Sequence, residues 1–178
     1  MRIRLAQPTD AAALARIHVD SWRTTYTGIV PDAHLASLSY EARAKRWEET
    51  LCAKDSSVFV FVAEDDDGQV VGFAVGGPER SGDPIYTGEL YGIYLLKDYQ
   101  RKGMGRQLVA AVVHRLLQMG YPSMLIWVLA QNPSRKFYAA LGGQPVREQD
   151  IVIGGATLIE VAYGWQDIRP LAQTERSS

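Results

Sequence analysis

A glycine-bearing turn between a strand-like run and an apolar helical pattern is the segment best suited to chemistry. It is Gln100-Arg101-Lys102-Gly103-Met104-Gly105, and apolar residues at helical spacing follow it directly. The first turn of a helix leaves backbone N–H groups unpaired at the positive end of the helix dipole. Glycines there let a phosphate approach the backbone closely. Since Arg101, Lys102 and Arg106 add positive charge, the segment predicts a pyrophosphate site.

Two common phosphate-binding motifs do not match this turn. A Walker loop needs a lysine followed by serine or threonine after its last glycine, whereas Arg106 and Gln107 follow Gly105 here. A dinucleotide-binding fingerprint needs a third glycine where Leu108 stands, and it usually belongs to the first strand–helix unit of a chain. A nucleoside triphosphate or a dinucleotide is therefore disfavoured as the ligand.

The elements around the turn predict an α/β fold. Their predicted order is a strand, two helices, a hairpin, a strand, a helix, a strand, a helix and a hairpin. This order indicates a mixed sheet with an antiparallel hairpin at each end and a strand–helix–strand crossover in the middle. We predict a single domain over residues 1–170, followed by a polar, frayed tail over residues 171–178.

Four local patterns make sharper predictions. Ile3 and Leu5 alternate with arginines, which predicts a short first strand with one buried face. Ser39 can cap the second helix. The segment 65–68, Asp-Asp-Asp-Gly, predicts a hairpin turn between two strands. The segment 76–84 predicts a loop because it contains prolines and several glycines.

The composition limits the partners of the chain. Nineteen Lys and Arg against 20 Asp and Glu give a net charge of −1 over 178 residues, so neither nucleic acid nor an anionic membrane is predicted as a partner. A single cysteine, Cys52, cannot form an intrachain disulfide. The three histidines show no paired ligand spacing, and no metal is predicted. Because neither a signal-peptide pattern nor a membrane-spanning run is present, the predicted location is cytoplasmic.

Two motifs resemble those of the GNAT superfamily of N-acetyltransferases. The pattern Gln-x-x-Gly-x-Gly over residues 100–105 resembles the family's acetyl-CoA loop. The run Asn-Pro-Ser-Arg-Lys-Phe-Tyr over residues 132–138 resembles its second cofactor motif, in family order and at family spacing. The N-terminal stretch also looks like the two-helix region of small-molecule members, so the resemblance covers essentially the whole chain. Gly143 is a departure, since the family usually has an aromatic residue there.

The resemblance implies a fold and a cofactor. The implied GNAT fold is a single-domain, mixed, largely antiparallel sheet with helices on both faces and a central parallel strand pair splayed at the cofactor site. The implied cofactor is acetyl-CoA, with its pantetheine arm on the free strand edge and its pyrophosphate on the loop amides. The implied cofactor-binding residues are Ile93, Tyr94, Leu95, Gln100, Arg101, Lys102, Gly103, Met104, Gly105, Arg106, Asn132, Arg135 and Tyr138.

The resemblance also implies catalytic roles. Tyr138 is expected near the sulfur as the general acid that protonates the departing thiolate; the alternative is an aromatic side chain whose hydroxyl bonds to the backbone. Glu89 is expected to be the base that removes the amine proton, with Tyr91 and Ile93 on the same strand face; the alternative is a surface or ion-paired glutamate. A backbone N–H near Ile93 is expected to polarise the thioester carbonyl.

The predicted reaction is direct acetyl transfer to a primary amine of a small molecule. The expected acceptor-binding residues are Trp22, Tyr26, Glu89, Tyr91 and Trp127. A protein N-terminus or lysine as the acceptor, and a catalytically silent acyl-CoA sensor, stay open as alternatives. The resemblance also suggests a homodimer.

Overall fold

A seven-stranded sheet lies at the centre of the protein. The computed structural model describes residues 2–54 and 56–173. The strands are β1 (Arg2–Leu5), β2 (Phe59–Glu64), β3 (Val70–Pro78), β4 (Gly88–Leu95), β5 (Met124–Leu129), β6 (Gln144–Ile153) and β7 (Ala156–Trp165). They lie in the order β1-β2-β3-β4-β5-β7-β6. Only β4 and β5 pair in parallel among the described strands, so the predicted mixed, largely antiparallel α/β fold is confirmed.

Helices cover both faces of this sheet. They are α1 (Ala11–Thr25), α2 (Asp32–Ser37), α3 (Tyr40–Cys52), α4 (Met104–Gln118) and α5 (Arg135–Ala140). Leu108 and Val112 of α4 are fully buried in the core on one face. Val62 and Phe73 are fully buried with residues of α1 in a second core on the other face. Within the described ranges, no helix has the length and apolar character needed to cross a membrane.

The parallel pair of β4 and β5 separates soon after it begins. The two strands pair only at Gly88–Met124 and at Glu89–Leu125. Tyr91 is a β-bulge, because the neighbouring positions Leu90 and Gly92 pair with consecutive residues of β3. A bulge bends its strand and increases the local twist. The rest of β4 therefore has no strand partner on the side of β5, and the predicted splay is confirmed.

The bulge also corrects one prediction about strand faces. Glu89 and Tyr91 were expected to share a face with Ile93. Tyr91 instead packs against the core under α1, whereas Ile93 packs against the core under α4. The alternation fails because the extra residue shifts every following side chain of β4 to the other face.

Two other local predictions were wrong. Leu5 is 56% exposed rather than buried, because β1 is a short strand at the edge of the sheet. The predicted loop 76–84 begins later, since β3 continues to Pro78, which pairs with Gly88. The short helix α2 was not predicted, and Leu35 is its only buried residue.

The predicted helix cap and the predicted hairpin turn are both present. Ser39 caps α3, because its hydroxyl accepts a hydrogen bond from the Ala42 amide at 3.2 Å. The turn between β2 and β3 is held by Asp65, whose carboxylate accepts hydrogen bonds from the Asp67 and Gln69 amides. The expected tail starts within a 3-10 helix, Arg169–Ala172, that packs against the core. Residues 174–178 lie outside the described residues.

Gly143, the departure from the family pattern, has a packing explanation. A Cβ atom at this position would lie 2.5 Å from the indole ring of Trp165. That indole is buried, and its N–H donates to the Leu141 carbonyl at 2.9 Å. An aromatic group from β7 therefore occupies the space beside the turn, so a side chain at position 143 is excluded.

Asp10 provides a test of stability against pH. Its carboxylate is buried and accepts hydrogen bonds from Arg4 Nη1 at 2.7 Å, Arg4 Nη2 at 3.0 Å and the Gln7 amide at 2.7 Å. The Arg4 guanidinium therefore lowers the pKa of Asp10 below its ordinary value of 3.8. A lowered folded-state pKa stabilises the fold above the unfolded-state pKa, and this stabilisation is lost as pH falls through the folded-state pKa.

We expect Asp10→Asn to lower the free energy of unfolding at pH 7 by about 2 kcal/mol. The difference from the wild type should shrink as the pH falls below about 4, where Asp10 of the unfolded chain gains a proton, and shrink further until the pH is below the lowered folded-state pKa. Urea unfolding at several pH values measures both effects. Asp167→Asn, at an exposed pair with Arg169, should leave the unfolding midpoint unchanged. Equal effects of the two substitutions would contradict the role given to Asp10.

Candidate active site

A cavity of about 90 Å³ lies where β4 and β5 diverge. This volume is well below the ~300 Å³ of a typical ligand pocket, so it suits the reacting ends of two substrates rather than a whole cofactor. Nine of the predicted site residues line it: Tyr26, Tyr91, Ile93, Tyr94, Leu95, Gln100, Trp127, Asn132 and Tyr138.

The lining also contains residues that sequence reasoning missed: Ser21, Thr25, Gly92, Ile126, Val128 and Ser134. Ser21 and Thr25 lie one helical turn apart on α1, and the spacing of three residues from the predicted Trp22 to Thr25 was an available signal. The consecutive runs 91–95 and 126–128 both line the cavity. Successive residues of a strand point to opposite faces, so consecutive lining residues show that the cavity is bounded by strand edges.

The free edge of β4 carries backbone groups that the sheet does not use. On one side, Ile93, Tyr94 and Leu95 pair with β3. On the other side β5 has already diverged, and the Leu95 carbonyl accepts a hydrogen bond from the Gln100 side chain at 3.0 Å. This edge can therefore add an extended ligand as though it were a further strand.

The turn before α4 presents a row of unpaired amides. Backbone N–H groups from 101 to 106 make no hydrogen bond to another described residue, and Gln107 is the first to bond back, to the Gly103 carbonyl at 3.2 Å. Arg101 and Gly103 both have left-handed backbone, with φ of 61° and 83°. Successive amides in such a turn form an anion-binding concavity, and a strained non-glycine residue is typical of functional loops.

Gly105 connects this turn to α5. A Cβ atom there would lie 3.2 Å from the Phe137 ring, so the glycine permits close packing of α4 on α5. The Met104 side chain is fully buried in the core, and only its amide can face a ligand. The Arg101, Lys102 and Arg106 side chains reach solvent and can add positive charge around the turn.

Tyr138 on α5 brings a buried phenol to the cavity. Its side chain is 5% exposed and packs against the rings of Phe137 and Tyr163. The hydroxyl makes no hydrogen bond to any residue in the described part of the chain, which argues against the backbone-bonded alternative. Burial raises the pKa of Tyr138 above its ordinary value of 10.0. The phenol therefore stays protonated at neutral pH.

Asn132 joins the cofactor motif to α1. Its side-chain oxygen accepts from the Ser134 amide at 2.8 Å, and its amide nitrogen donates to the Tyr26 hydroxyl at 3.1 Å. Burial raises the pKa of Tyr26. Trp22 does not line the cavity, but it packs 4.6 Å from the Tyr26 ring and donates to the Tyr94 hydroxyl at 3.4 Å. Trp22 therefore supports two lining tyrosines from behind.

Glu89 lies beside the cavity lining rather than within it. Its carboxylate is 2% exposed and accepts hydrogen bonds from Arg80: from Nη2 at 2.6 Å, Nε at 3.1 Å and the backbone amide at 3.2 Å. The Arg80 guanidinium also stacks on the Tyr91 ring at 3.9 Å. The ion-paired alternative therefore describes the geometry of Glu89 in this state.

Arg135 likewise has structural partners. Its Nη1 donates to the Ala130 carbonyl at 2.7 Å, and its Nε donates to the Tyr163 hydroxyl at 3.2 Å. These bonds hold the connection between β5 and α5. The guanidinium does not line the cavity.

The free amides at the start of α4 thus follow directly on Gln100, which lines the cavity together with the free edge of β4 and the phenol of Tyr138. The family model described as "Acetyltransferase (GNAT) family" matches residues 13–142. The chain belongs to the GNAT family of acetyltransferases. The N-acetyltransferase YuaI of Bacillus subtilis is 46% identical over 95% of both chains. Aminoglycoside N(6')-acetyltransferase type 1 of Salmonella typhimurium is 31% identical over 75% of this chain and 90% of its own.

A solved acetyltransferase structure has the same fold. The acetyltransferase yncA of Salmonella typhimurium, determined with acetyl-CoA, has a TM-score of 0.69 at 23% identity and covers 100% of this chain and 97% of its own. The present protein is an acetyl-CoA-dependent N-acetyltransferase of this family. Its unpaired amides from 101 to 106 fit a diphosphate, and its free β4 edge fits the amide groups of a pantetheine arm.

Proposed function

We propose that the protein acetylates a primary amine of a small molecule by direct attack, with both substrates bound at once. The observation that carries this proposal is the Tyr138 hydroxyl, buried and unbonded to described residues, in the same cavity as the free edge of β4. The volume of about 90 Å³ favours a slender amine over a folded protein segment. The named activity of the aminoglycoside-acetylating relative agrees with a small acceptor.

Different residues around the cavity would bind different parts of acetyl-CoA. Amides from 101 to 106 would bind the diphosphate, with Lys102 and Arg106 adding charge and Asn132 contacting the cofactor. The backbone of Ile93–Leu95 would bind the pantetheine arm, and an N–H near Ile93 would donate to the carbonyl oxygen that gains negative charge. When bound, acetyl-CoA supplies a thioester whose acetyl group is activated for transfer.

Tyr138 would supply the proton that the departing sulfur takes up. As the amine nitrogen forms its bond to the acetyl carbon, the carbon–sulfur bond breaks and its electron pair stays on sulfur. The phenol gives its proton to that sulfur. The nitrogen, which carries an extra proton after the attack, releases that proton to solvent as it becomes an amide, and the phenolate regains a proton from solvent. The attacking amine must be neutral, because an ammonium group has no lone pair. Tyr26, Tyr91 and Trp127 would contact the acceptor, with Trp22 placed behind Tyr26.

Release of free thiol from acetyl-CoA in the presence of an amine panel tests this proposal. We expect saturable turnover with small primary amines and none with peptides that present an N-terminus or a lysine. Turnover with peptides alone would identify a protein acetyltransferase instead. Tight binding of acetyl-CoA without turnover by any amine or peptide would identify a silent sensor. The homodimer and the cytoplasmic location stay predictions from the sequence.

The role of Glu89 as a base stays a prediction that two substitutions can test. If its carboxylate accepts the amine proton, Glu89→Gln lowers kcat by about 100-fold. Arg80→Gln leaves the carboxylate in place and should retain most of the rate. Pre-steady-state and steady-state rates of acetyl transfer, measured for both variants across pH, test these expectations. Loss of thermal stability in Glu89→Gln, with an unchanged rate per folded molecule, would instead assign Glu89 to the ion pair alone.

A further inference from the structure

Three polar side chains between α1 and α3 are buried without a partner. Both ring nitrogens of His18, the hydroxyl of Ser21 and the indole nitrogen of Trp47 make no hydrogen bond within the described ranges. The His18 side chain is 93% buried, at 7% exposure. Burying such groups without a partner is unfavourable. The cluster can therefore form hydrogen bonds to an additional group, one that none of these side chains supplies.

This cluster adjoins the cavity of the candidate active site. His18 and Ser21 lie one turn apart on α1, so their side chains point to the same side. The His18 ring is 6.5 Å from the Trp47 ring and 4.8 Å from the Tyr94 ring. Ser21 and Tyr94 themselves line the cavity. The cluster therefore lies directly behind two residues of the cavity lining.

Arg43 brings positive charge to the same place. It lies one turn before Trp47 on α3 and is half-buried. No carboxylate among the described residues is within ion-pair distance of its guanidinium. Burial, and to a lesser extent the charge of Arg43, lowers the pKa of His18 to about 3. His18 is therefore neutral at physiological pH, and Arg43 is the charged member of the group.

The donors of the group outnumber its acceptors. A guanidinium and an indole N–H only donate, a neutral imidazole donates from one nitrogen, and a serine hydroxyl can donate. Donors around an unpaired cation match an anion with several acceptor oxygens. An ammonium group needs hydrogen-bond acceptors, and the cluster mainly offers donors and a positive charge. The cluster therefore suits a part of the acceptor molecule other than its reacting nitrogen.

We propose that His18, Ser21, Arg43 and Trp47 bind an anionic group, a carboxylate or a phosphonate, of the acetyl acceptor. The acceptor class is then an amine that carries an anion, as amino acids and aminophosphonates do. The inference rests on the proposed function, since it takes the acceptor amine to lie in the cavity. The unpaired cation and the buried partnerless donors beside the cavity are the observations that support it.

Matched acceptor pairs test the proposal in the full-length enzyme. Each pair joins an amino acid or aminophosphonate to its uncharged carboxamide or ester, and kcat/KM is compared per unprotonated amine. We expect the wild type to prefer the anionic member by at least about tenfold, equal to about 1.4 kcal/mol. Arg43→Gln should remove that preference. Lys45→Gln, which removes an exposed charge from the same helix, should keep it.

A binding measurement without acetyl-CoA separates this inference from the proposed function. The indole N–H resonance of Trp47, assigned by its loss in Trp47→Phe, should shift saturably when glycine or aminomethylphosphonate is added and should not shift with glycinamide. Shifts with both anions alongside no turnover of any amine would contradict the acetyl-transfer proposal and leave the anion site standing. Turnover of neutral and anionic amines alike, with no indole shift, would overturn the anion site and indicate a cluster filled by water.

Discussion

Tyr138→Phe is expected to lower kcat for acetyl transfer by about 100- to 10,000-fold. The substitution removes one oxygen from a buried ring whose hydroxyl bonds to no described residue, so packing is kept while the proton donor is lost. The Kd for acetyl-CoA should change little, because the ring still fills its place beside Phe137. Steady-state kinetics across pH, with calorimetric titration of acetyl-CoA, measure both quantities.

Tyr163→Phe is the matched control for this prediction. Its ring lies 6.1 Å from that of Tyr138, it is equally buried, and its hydroxyl accepts a hydrogen bond from Arg135. Because Tyr163 does not line the cavity, loss of its hydroxyl should lower the free energy of unfolding and leave kcat nearly unchanged. A kcat of Tyr138→Phe that equals the wild type at every pH would rule out Tyr138 as the acid.

Gly103→Ala is expected to raise the Kd for coenzyme A by about 10- to 100-fold, equal to about 1.4–2.7 kcal/mol of binding energy. Gly103 has a φ of 83° and precedes α4 in the row of unpaired amides. A left-handed backbone costs a residue with a Cβ about 1–2 kcal/mol, so the turn should relax and move its amides. Calorimetric titration of coenzyme A gives the Kd directly.

The opposite end of the same helix offers a control for strain. Gly120 follows α4 with a φ of 85°, and an added Cβ there would meet no atom within 4 Å, as at Gly103. Gly120→Ala should therefore cost similar stability without weakening coenzyme A binding. An equal rise of the Kd in both variants would show that strain in α4, rather than the turn geometry, controls affinity.

Local turn and cap chemistry explains what could be predicted from the sequence. The turn at residues 100–105, the Ser39 cap and the Asp65 turn are set by residues close in the chain, and all three were predicted. The bulge at Tyr91 depends on how β4 pairs with β3. Its effect on the face of Ile93 therefore could not be inferred from alternation alone.

Long-range partners account for the parts of the candidate site that sequence reasoning missed. Glu89 was predicted by its position in the strand, but its ion pair with Arg80 requires the connection between β3 and β4 to fold back over β4. Arg135 was included with the cofactor motif, yet its partners lie on β7 and after β5. The space taken by Trp165 beside Gly143 likewise depends on a strand that follows much later.

The proposed function depends most on the binding of a diphosphate by the unpaired amides before α4. Titration of the ¹⁵N-labelled protein with coenzyme A, followed by amide resonances, tests it directly. We predict saturable shifts of the amides from 101 to 106 and of Ile93–Leu95, all fitting one Kd. Saturable binding that shifts other amides and leaves the turn before α4 unperturbed would contradict the account.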